Sequence, residues 1–110
     1  MARMNLRIEE DNNGVKYISI LRKNTNMSIS KIKELLNNND YILSYNLLEI
    51  DELLEMKKIV GLLFDAGAKV RLFEDNREVS IEFLDNLIES HLDTQRYLEE
   101  IDEQASNDDN

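Results

Sequence analysis

The 110-residue sequence contains no Cys, no Pro and no Trp, and it has only three Gly and one His. The absence of Cys excludes disulfides, thiolate metal sites and a Cys nucleophile. No apolar run approaches the roughly 20 residues that a membrane-spanning helix needs, and the N-terminus lacks the basic and then apolar pattern of a secretory signal. We therefore expect a protein of the reducing cytoplasm with no membrane partner.

Positive charge is also scarce, because 13 basic residues stand against 23 acidic ones and give a formal net charge of -10. Nucleic-acid binding needs a surplus of Lys and Arg against the phosphates, so we expect no nucleic-acid partner. The charge is uneven: residues 1–55 have 7 basic and 9 acidic residues (net -2), and residues 56–110 have 6 and 14 (net -8). An acidic half of this kind either steers a basic partner or keeps a small protein soluble.

Apolar residues make up an ordinary 42% of the chain and recur at strand and helix periods. Residues 4–9 alternate between apolar and polar, which predicts a strand. Asn13-Gly14 is typical of a hairpin turn, and residues 15–21 are rich in β-branched and aromatic residues, which favours a second strand paired with the first. The alternative is a helix over residues 14–23, whose apolar residues are spaced three apart. Both readings stay open, and we favour the strand.

The remaining elements have clearer signals. Ser28 or Ser30 is suited to cap a helix that ends in the Asn-rich residues 37–40, and residues 41–48 alternate as a strand. A helix that begins near Asp51 ends at Gly67, and a short strand over residues 69–73 follows. Ser80 caps a last helix of about residues 80–103.

These elements give the order ββαβαβα. Two right-handed crossovers make the strands at 15–21, 41–48 and 70–73 mutually parallel, and the N-terminal strand is added antiparallel. We predict an α+β fold: a two-layer sandwich of a small mixed sheet with helices on one face. Residues 1–103 form a single domain, and residues 104–110 form a disordered acidic tail.

Two segments resemble a known family. Residues 22–36 resemble the central segment of the C-terminal domain of the bacterial ribosomal stalk protein, in which an Arg and then a Thr precede a Gly-rich start of a Lys-bearing helix. Residues 51–71, with Ala66-Gly67-Ala68-Lys69-Val70 leading into a strand, are similar to the last helix and strand of that domain. The resemblance covers residues 15–73 and implies the same fold. Because this fold also serves as a protease-adaptor domain, the resemblance implies protein–protein binding.

The same resemblance points to the basic residues of the first helical segment. In the family, Lys and Arg residues on this helix bind translation factors, and Lys33 and Arg22 match them here. The family's loop glycines are Asn26 and Ser28 in this chain, and Ser30 stands where a Lys is expected. The local basic cluster consists of Arg22, Lys23, Lys31 and Lys33. It is either a docking patch for an acidic protein or a solvated helix face.

No catalytic motif is found. The chain has no Gly-rich phosphate loop, no His-Glu-x-x-His and no nucleophile elbow. The single imidazole, His91, lies beside the apolar stripe of the last helix, which favours a structural role. The acidic residues near 99–103 and 108–109 lack the spacing of a calcium loop and indicate a solvated helix end. We predict a protein that is not an enzyme and that holds no metal or cofactor.

The last helix is too long for the sheet that it covers. Its apolar stripe continues to Leu98 and Ile101, and 24 helical residues span about 36 Å against about 20 Å for a six-residue strand. We expect a second copy of the protein or another partner to cover the excess, with Leu92, Leu98 and Ile101 in the contact. A fold-back of the helix onto the hairpin is the alternative.

Three functions are compatible with these features. We favour a small non-enzymatic bacterial protein–protein interaction module, encoded on a bacterial or phage accessory element. The alternative is an acidic inhibitor, such as an immunity protein or antitoxin, that binds a basic toxin or nuclease. An enzyme that uses clustered carboxylates has no support in the spacing of the residues.

Overall fold

Strands and helices follow one another in the order β-α-α-β-α-β-β-α in the computed structural model, which describes the backbone of residues 2–108 and the side chains of residues 2–94. The strands are β1 (Arg3–Ile8), β2 (Leu43–Asn46), β3 (Val70–Glu74) and β4 (Arg77–Val79). The helices are α1 (Gly14–Asn24), α2 (Ile29–Asn37), α3 (Ile50–Asp65) and α4 (Ile81–Asp108).

The strands form one sheet in the order β2-β1-β3-β4, in which all neighbouring strands are antiparallel. Leu6 of the central strand β1 lies opposite Leu43 of β2 and Leu72 of β3. Since both strands run against β1, β2 and β3 point in the same direction, and α3 is the crossover between them. β3 and β4 form a hairpin in which Asp75 has a φ of 54°.

The helices and one face of the sheet share a single core. Every second residue of β1 points into it, so that Met4, Leu6 and Ile8 are buried. The residues that α3 contributes are Leu53, Met56, Ile59, Val60 and Leu63. α1 adds Tyr17 and Leu21, and α2 adds Ile32. The α+β class, with helices packed on a small sheet, is confirmed.

Residues 15–21 lie in helix α1 and not in the strand that their composition favours. Asp11 organises the start of this helix, because its Oδ1 accepts from the Asn13 N–H at 2.7 Å and its Oδ2 accepts from the Tyr17 hydroxyl at 2.6 Å. Tyr17 and Leu21 are four residues apart and bury one helical face. The helical alternative over residues 14–23 is therefore right: side-chain packing outweighs the weak strand preference of β-branched residues.

The sheet is antiparallel throughout, whereas the sequence predicts a mixed sheet with three mutually parallel strands. Because residues 15–21 are helical, β1 has no hairpin partner and takes the central position between β2 and β3. The crossover through α3 preserves the predicted common direction of β2 and β3 but not their adjacency. Residues 77–79, for which the sequence pattern predicts no strand, form β4.

The helix ends follow their sequence signals. Ser28 Oγ accepts from the Lys31 N–H at 3.1 Å, and Ser80 Oγ accepts from the Phe83 N–H at 3.3 Å, which confirms both serine caps. Gly67, with a φ of 89°, follows α3 as predicted. α4, in contrast, continues to Asp108, past the predicted end near residue 103.

The length of α4 determines the shape of the molecule. The principal extents are 64 × 27 × 25 Å, and the radius of gyration is 17.4 Å. A compact domain of this length has a radius of gyration of about 13 Å. The 28 residues of α4 span about 42 Å, so the helix extends beyond the sheet that it covers.

Candidate protein-interaction surfaces

The loop between α1 and α2 is anchored by side chains at both ends. Asn24 Nδ2 donates to the Ile20 carbonyl at 2.8 Å, and Thr25 Oγ1 donates to the Leu21 carbonyl at 2.5 Å. These bonds satisfy carbonyls that the end of a helix leaves without partners. The cap by Ser28 then begins α2. The loop is therefore held in place beside β2.

A groove of about 600 Å³ separates this loop from β2. Lys23 and Met27 border it on the loop side, and Tyr45 and Glu55 border it on the other. Burial, together with the carboxylates of Glu55 and Glu52, raises the pKa of Tyr45 to about 12, so the phenol stays neutral at physiological pH. The groove thus offers an ammonium group, a carboxylate and a neutral hydroxyl for hydrogen bonds to a polypeptide.

The four basic residues of the predicted cluster open onto different parts of the surface. Lys23 borders the groove, and Arg22 borders a shallow depression formed by the α1–α2 loop. Lys33 lies at a separate cleft, between α2 and the acidic residues 9–11 that follow β1. Lys31 is exposed in the first turn of α2. The structure therefore keeps Arg22 and Lys23 together at the end of α1 but places Lys33 at another site.

The sheet has a second face, which we call the open face, on the side away from the core. Strand alternation and register assign eight residues to it: Arg3, Asn5, Arg7, Ser44, Asn46, Arg71, Phe73 and Glu78. None of the helices packs on this face in the part of the chain that the structure describes. The alternation of polar Arg3, Asn5 and Arg7 with buried apolar residues is the signal by which the sequence could have revealed it.

An aromatic pair covers part of the open face. Phe73 is only 7% exposed although it lies outside the main core, because Tyr41 packs on it with 5.2 Å between ring centroids. The Arg7 guanidinium lies 4.9 Å from the centroid of the same ring, within the range of a cation–π contact. Asn5 is buried beside this pair and donates to the Asp75 carbonyl at 2.8 Å. These contacts give Arg7 a fixed position.

The three arginines of the open face differ in their partners. Arg71 Nε donates to Glu9 at 2.6 Å, and its Nη1 lies 3.3 Å from Glu78, so that these carboxylates raise the pKa of Arg71. The Arg3 guanidinium donates to the uncharged hydroxyl and carbonyl of Ser44, while its backbone N–H donates to Asp75 Oδ1 at 2.9 Å. Arg7 has no carboxylate within 4.0 Å among the described side chains. Two of the three positive charges are therefore not neutralised.

The outer edges of the sheet are protected against the addition of another strand. On β2, Glu52 Oε2 accepts from the Asn46 N–H at 3.0 Å, and the Arg3 guanidinium donates to the Ser44 carbonyl. On the other edge, β4 has only three residues, of which Arg77 and Glu78 are exposed. Side-chain capping and short charged strands are common protections of sheet edges.

In the part of the chain whose side chains the structure describes, α4 contacts the domain as far as Leu92. Lys57 Nζ of α3 lies 2.8 Å from an Asp85 carboxylate oxygen, and His91 Nε2 lies 3.1 Å from the Leu47 carbonyl. With its proton on Nε2, His91 ties the helix to the end of β2, which supports the structural role predicted for it. Leu92 packs against the core.

The helix backbone continues from residue 93 to Asp108, which adds about 24 Å. We call residues 93–108 the projecting end. The side chains of Leu98 and Ile101, which the sequence predicts to be contact residues, lie outside the described part. The predicted tail begins at residue 104, inside this helix.

Metal and membrane sites were sought in the described residues. No group of three or more His, Asp or Glu side chains there is placed to hold a metal ion. No helix among these residues is both long and apolar enough to cross a membrane.

The chain was compared with known proteins. No protein-family model matches it, and neither the curated proteins nor the solved structures contain a significant match.

Proposed function

We propose that this protein is a small non-enzymatic bacterial protein of the cytoplasm that binds other proteins, or a second copy of itself, through the end of α4. The observation that carries the proposal is the projecting end, about 24 Å of helix beyond Leu92. A single helix of this length is marginally stable in water without tertiary contacts. Binding to another molecule would supply those contacts and bury Leu98 and Ile101.

The resemblance of residues 15–73 to the ribosomal stalk C-terminal domain supports the same class of function. That family and the protease-adaptor domains of the same fold are both expected to act by binding proteins. The groove beside β2, bordered by Lys23 and Glu55, offers polar groups for such contacts next to Arg22, one of the two residues that match the family's basic positions. Both lines of support concern recognition and not catalysis.

Sedimentation equilibrium of the wild type, Leu98→Glu and Gln104→Glu tests the proposal. Both substitutions add one negative charge to the projecting end, but residues 98 and 104 lie about 120° apart around the helix. We expect Leu98→Glu to abolish self-association because a charge replaces a residue of the apolar stripe. Gln104→Glu should have little effect. If the partner is another protein, the wild type and the two variants are compared by the proteins that each retains from a bacterial extract.

Far-UV circular dichroism controls for folding of both variants. The proposal is contradicted if the wild type stays monomeric and also retains no protein that is lost in Leu98→Glu.

An acidic inhibitor of a basic toxin or nuclease is the second candidate. The net charge of -8 in residues 56–110 favours it, because charge complementarity accelerates capture of a basic partner. Retention of such a partner should fall sharply between about 0.05 M and about 1 M salt, where the screening length drops several-fold. A partner held by Leu98 through apolar contacts should survive the same wash.

A further inference from the structure

The open face and the projecting end are opposite in charge. Residues 95–110 contain six acidic residues and one basic residue, a net charge of -5. On the open face, the guanidinium groups of Arg3 and Arg7 have no carboxylate within 4.0 Å among the described side chains. We propose that the open face of one molecule binds the acidic projecting end of α4 from a second copy of this chain. This inference rests on the proposed function, since both make the projecting end the bound element, and it adds the surface that receives it.

The dimensions of the two elements agree. The six residues of β1 span about 20 Å, and four strands cover about 14 Å between the outer strand axes. The projecting end is about 24 Å long, and a helix with its side chains is 10–12 Å wide, as a rule. One helix therefore covers most of the face, and this recreates the helix-on-sheet layer that already exists on the other side.

The positions of the charges also agree. Arg3 and Arg7 are four residues apart on one strand face, about 13 Å. Glu100 and Asp108 are eight residues apart on the projecting end, which places them about 12 Å apart along the helix axis and about 80° apart around it, on one side of the helix. Arg7 lies over the Phe73 ring and Arg3 is held by Ser44, so both guanidinium groups lose little freedom when they bind a carboxylate.

Other arrangements of two copies are less favourable. Two projecting ends that pair side by side bring together segments of net charge -5 each, and like charges at an interface oppose association. Addition of strands across the sheet edges meets the side-chain caps on β2 and the short β4. The molecule's own end cannot reach its open face, because the continuous helix carries it away from the sheet along the 64 Å dimension.

The inference is tested by reversing the charges on the projecting end in one variant and on the open face in another, and then by mixing the two variants. Sedimentation velocity of the full chain is measured at about 0.05 M and about 1 M salt. The first variant is Glu99→Lys with Glu103→Lys, which lies on the projecting end and spares the core. Its control, Glu34→Lys with Glu89→Lys, makes the same change in net charge at exposed positions elsewhere. The second variant is Arg3→Glu with Arg7→Glu, accompanied by the milder Arg3→Gln with Arg7→Gln and checked by circular dichroism.

We expect the wild type to self-associate at low salt and to dissociate at high salt. Each charge-reversed variant alone should raise the dissociation constant at least about tenfold, whereas the control leaves it within about twofold. An equimolar mixture of the two reversed variants should recover association, because each supplies the charge that the other lost.

Three results overturn the inference. The first is a wild type that stays monomeric at low salt. The second is loss of association in the Glu34/Glu89 control to the same degree as in the Glu99/Glu103 variant. The third is association that withstands high salt and the arginine substitutions but is lost in Leu98→Glu, which leaves the proposed function intact and assigns the contact to the apolar stripe.

Discussion

At the scale of single residues, Asp11 and Tyr17 connect the β1–α1 loop to the core. The Tyr17 hydroxyl donates to Asp11 Oδ2 at 2.6 Å, and the ring of Tyr17 is only 1% exposed. This hydrogen bond lowers the pKa of Asp11 and raises the pKa of Tyr17, because it favours the carboxylate of one and the neutral phenol of the other. The bond therefore stabilises the fold at neutral pH.

Replacement of Tyr17 by Phe should lower the melting temperature by about 4–8 °C, since it removes a hydrogen bond to a charged group and keeps the buried ring. Tyr41→Phe is the matched control, because its hydroxyl lies 3.4 Å from an uncharged carbonyl. Thermal melts at pH 7 measure both. An unchanged melting temperature for Tyr17→Phe contradicts the assigned role of the bond.

The same pair predicts a dependence on pH. Because the pKa of Asp11 is lowered in the folded state, its contribution is complete above the unfolded value near 3.8 and is lost as the pH falls through the folded value. Because the pKa of Tyr17 is raised, its contribution is complete below the unfolded value near 10.0 and is lost as the pH rises through the folded value.

We therefore expect Tyr17→Phe to flatten both limbs of the stability curve, below about pH 4 and above about pH 10. Urea denaturation from pH 2 to pH 11 measures this, with Tyr41→Phe as reference. If both limbs of the Tyr17→Phe curve are as steep as those of the wild type, groups other than Asp11 and Tyr17 cause the dependence on pH.

At the scale of elements, α3 and the strand that follows it were the segments best determined by local sequence. Asp51 and Glu52 lie in the first turn of α3, where negative charge is favoured, and Gly67 provides the left-handed conformation after its end. A buried face of five apolar residues then fixes the helix against β2 and β3. Local signals and tertiary packing agree here, which explains why the prediction succeeded.

Replacement by Ala should have opposite effects on stability at the two glycines of this region. Gly67→Ala should destabilise the protein by about 1 kcal/mol, because an L-residue is strained at a φ of 89°. Gly61→Ala should stabilise it by about 0.5–1 kcal/mol, because Gly61 lies inside α3 with open space around it. Urea denaturation measures both, and effects of the same sign would refute this explanation.

α1 was harder to assign because its local signals conflict. The β-branched and aromatic residues of positions 15–21 favour a strand by composition, whereas Val15, Ile18 and Leu21, spaced three apart, fit a helix. The burial pattern decides between them: Tyr17 and Leu21 are buried while Ser19 between them is exposed, which fits the period of a helix and not the alternation of a strand. Because residues 15–21 form a helix, they do not pair with β1 as predicted, and β1 takes the central position between β2 and β3.

At the scale of the whole molecule, the folded domain and the projecting end behave as separate parts. The radius of gyration of 17.4 Å exceeds the value for a compact chain of this length because of the end of α4. Among the side chains that the structure describes, those that the four helices contribute to the core all come from residues before 93. Removal of the projecting end is therefore expected to leave the domain folded.

A chain that ends at Thr94 should keep its melting temperature within about 3 °C of the wild type, because the lost residues follow Leu92, the last core contact among the described side chains. Its radius of gyration should fall to about 12 Å. Small-angle scattering and thermal melts at low protein concentration test this. A large loss of stability in the monomer would show that residues 95–108 support the core.

Some features of the candidate surfaces follow from neighbouring residues in the sequence, and others arise only from the tertiary structure. Arg22 and Lys23 are neighbours in sequence and stay neighbours in the fold, but Lys33 is carried to another cleft by the turn between α1 and α2. The open face combines Arg7 of β1, Tyr41 before β2 and Phe73 of β3, three residues that no sequence window contains.

The sequence by itself determined the α+β class, the ends of α2 and α3 and the distribution of charge, because caps, apolar periods and ionisable groups act over a few residues. Only the tertiary structure decided the helical state of residues 15–21, the central place of β1 and the grouping of arginines on the open face. These features depend on contacts between residues of different strands and helices. The order of residues in the sequence does not give the distances between them.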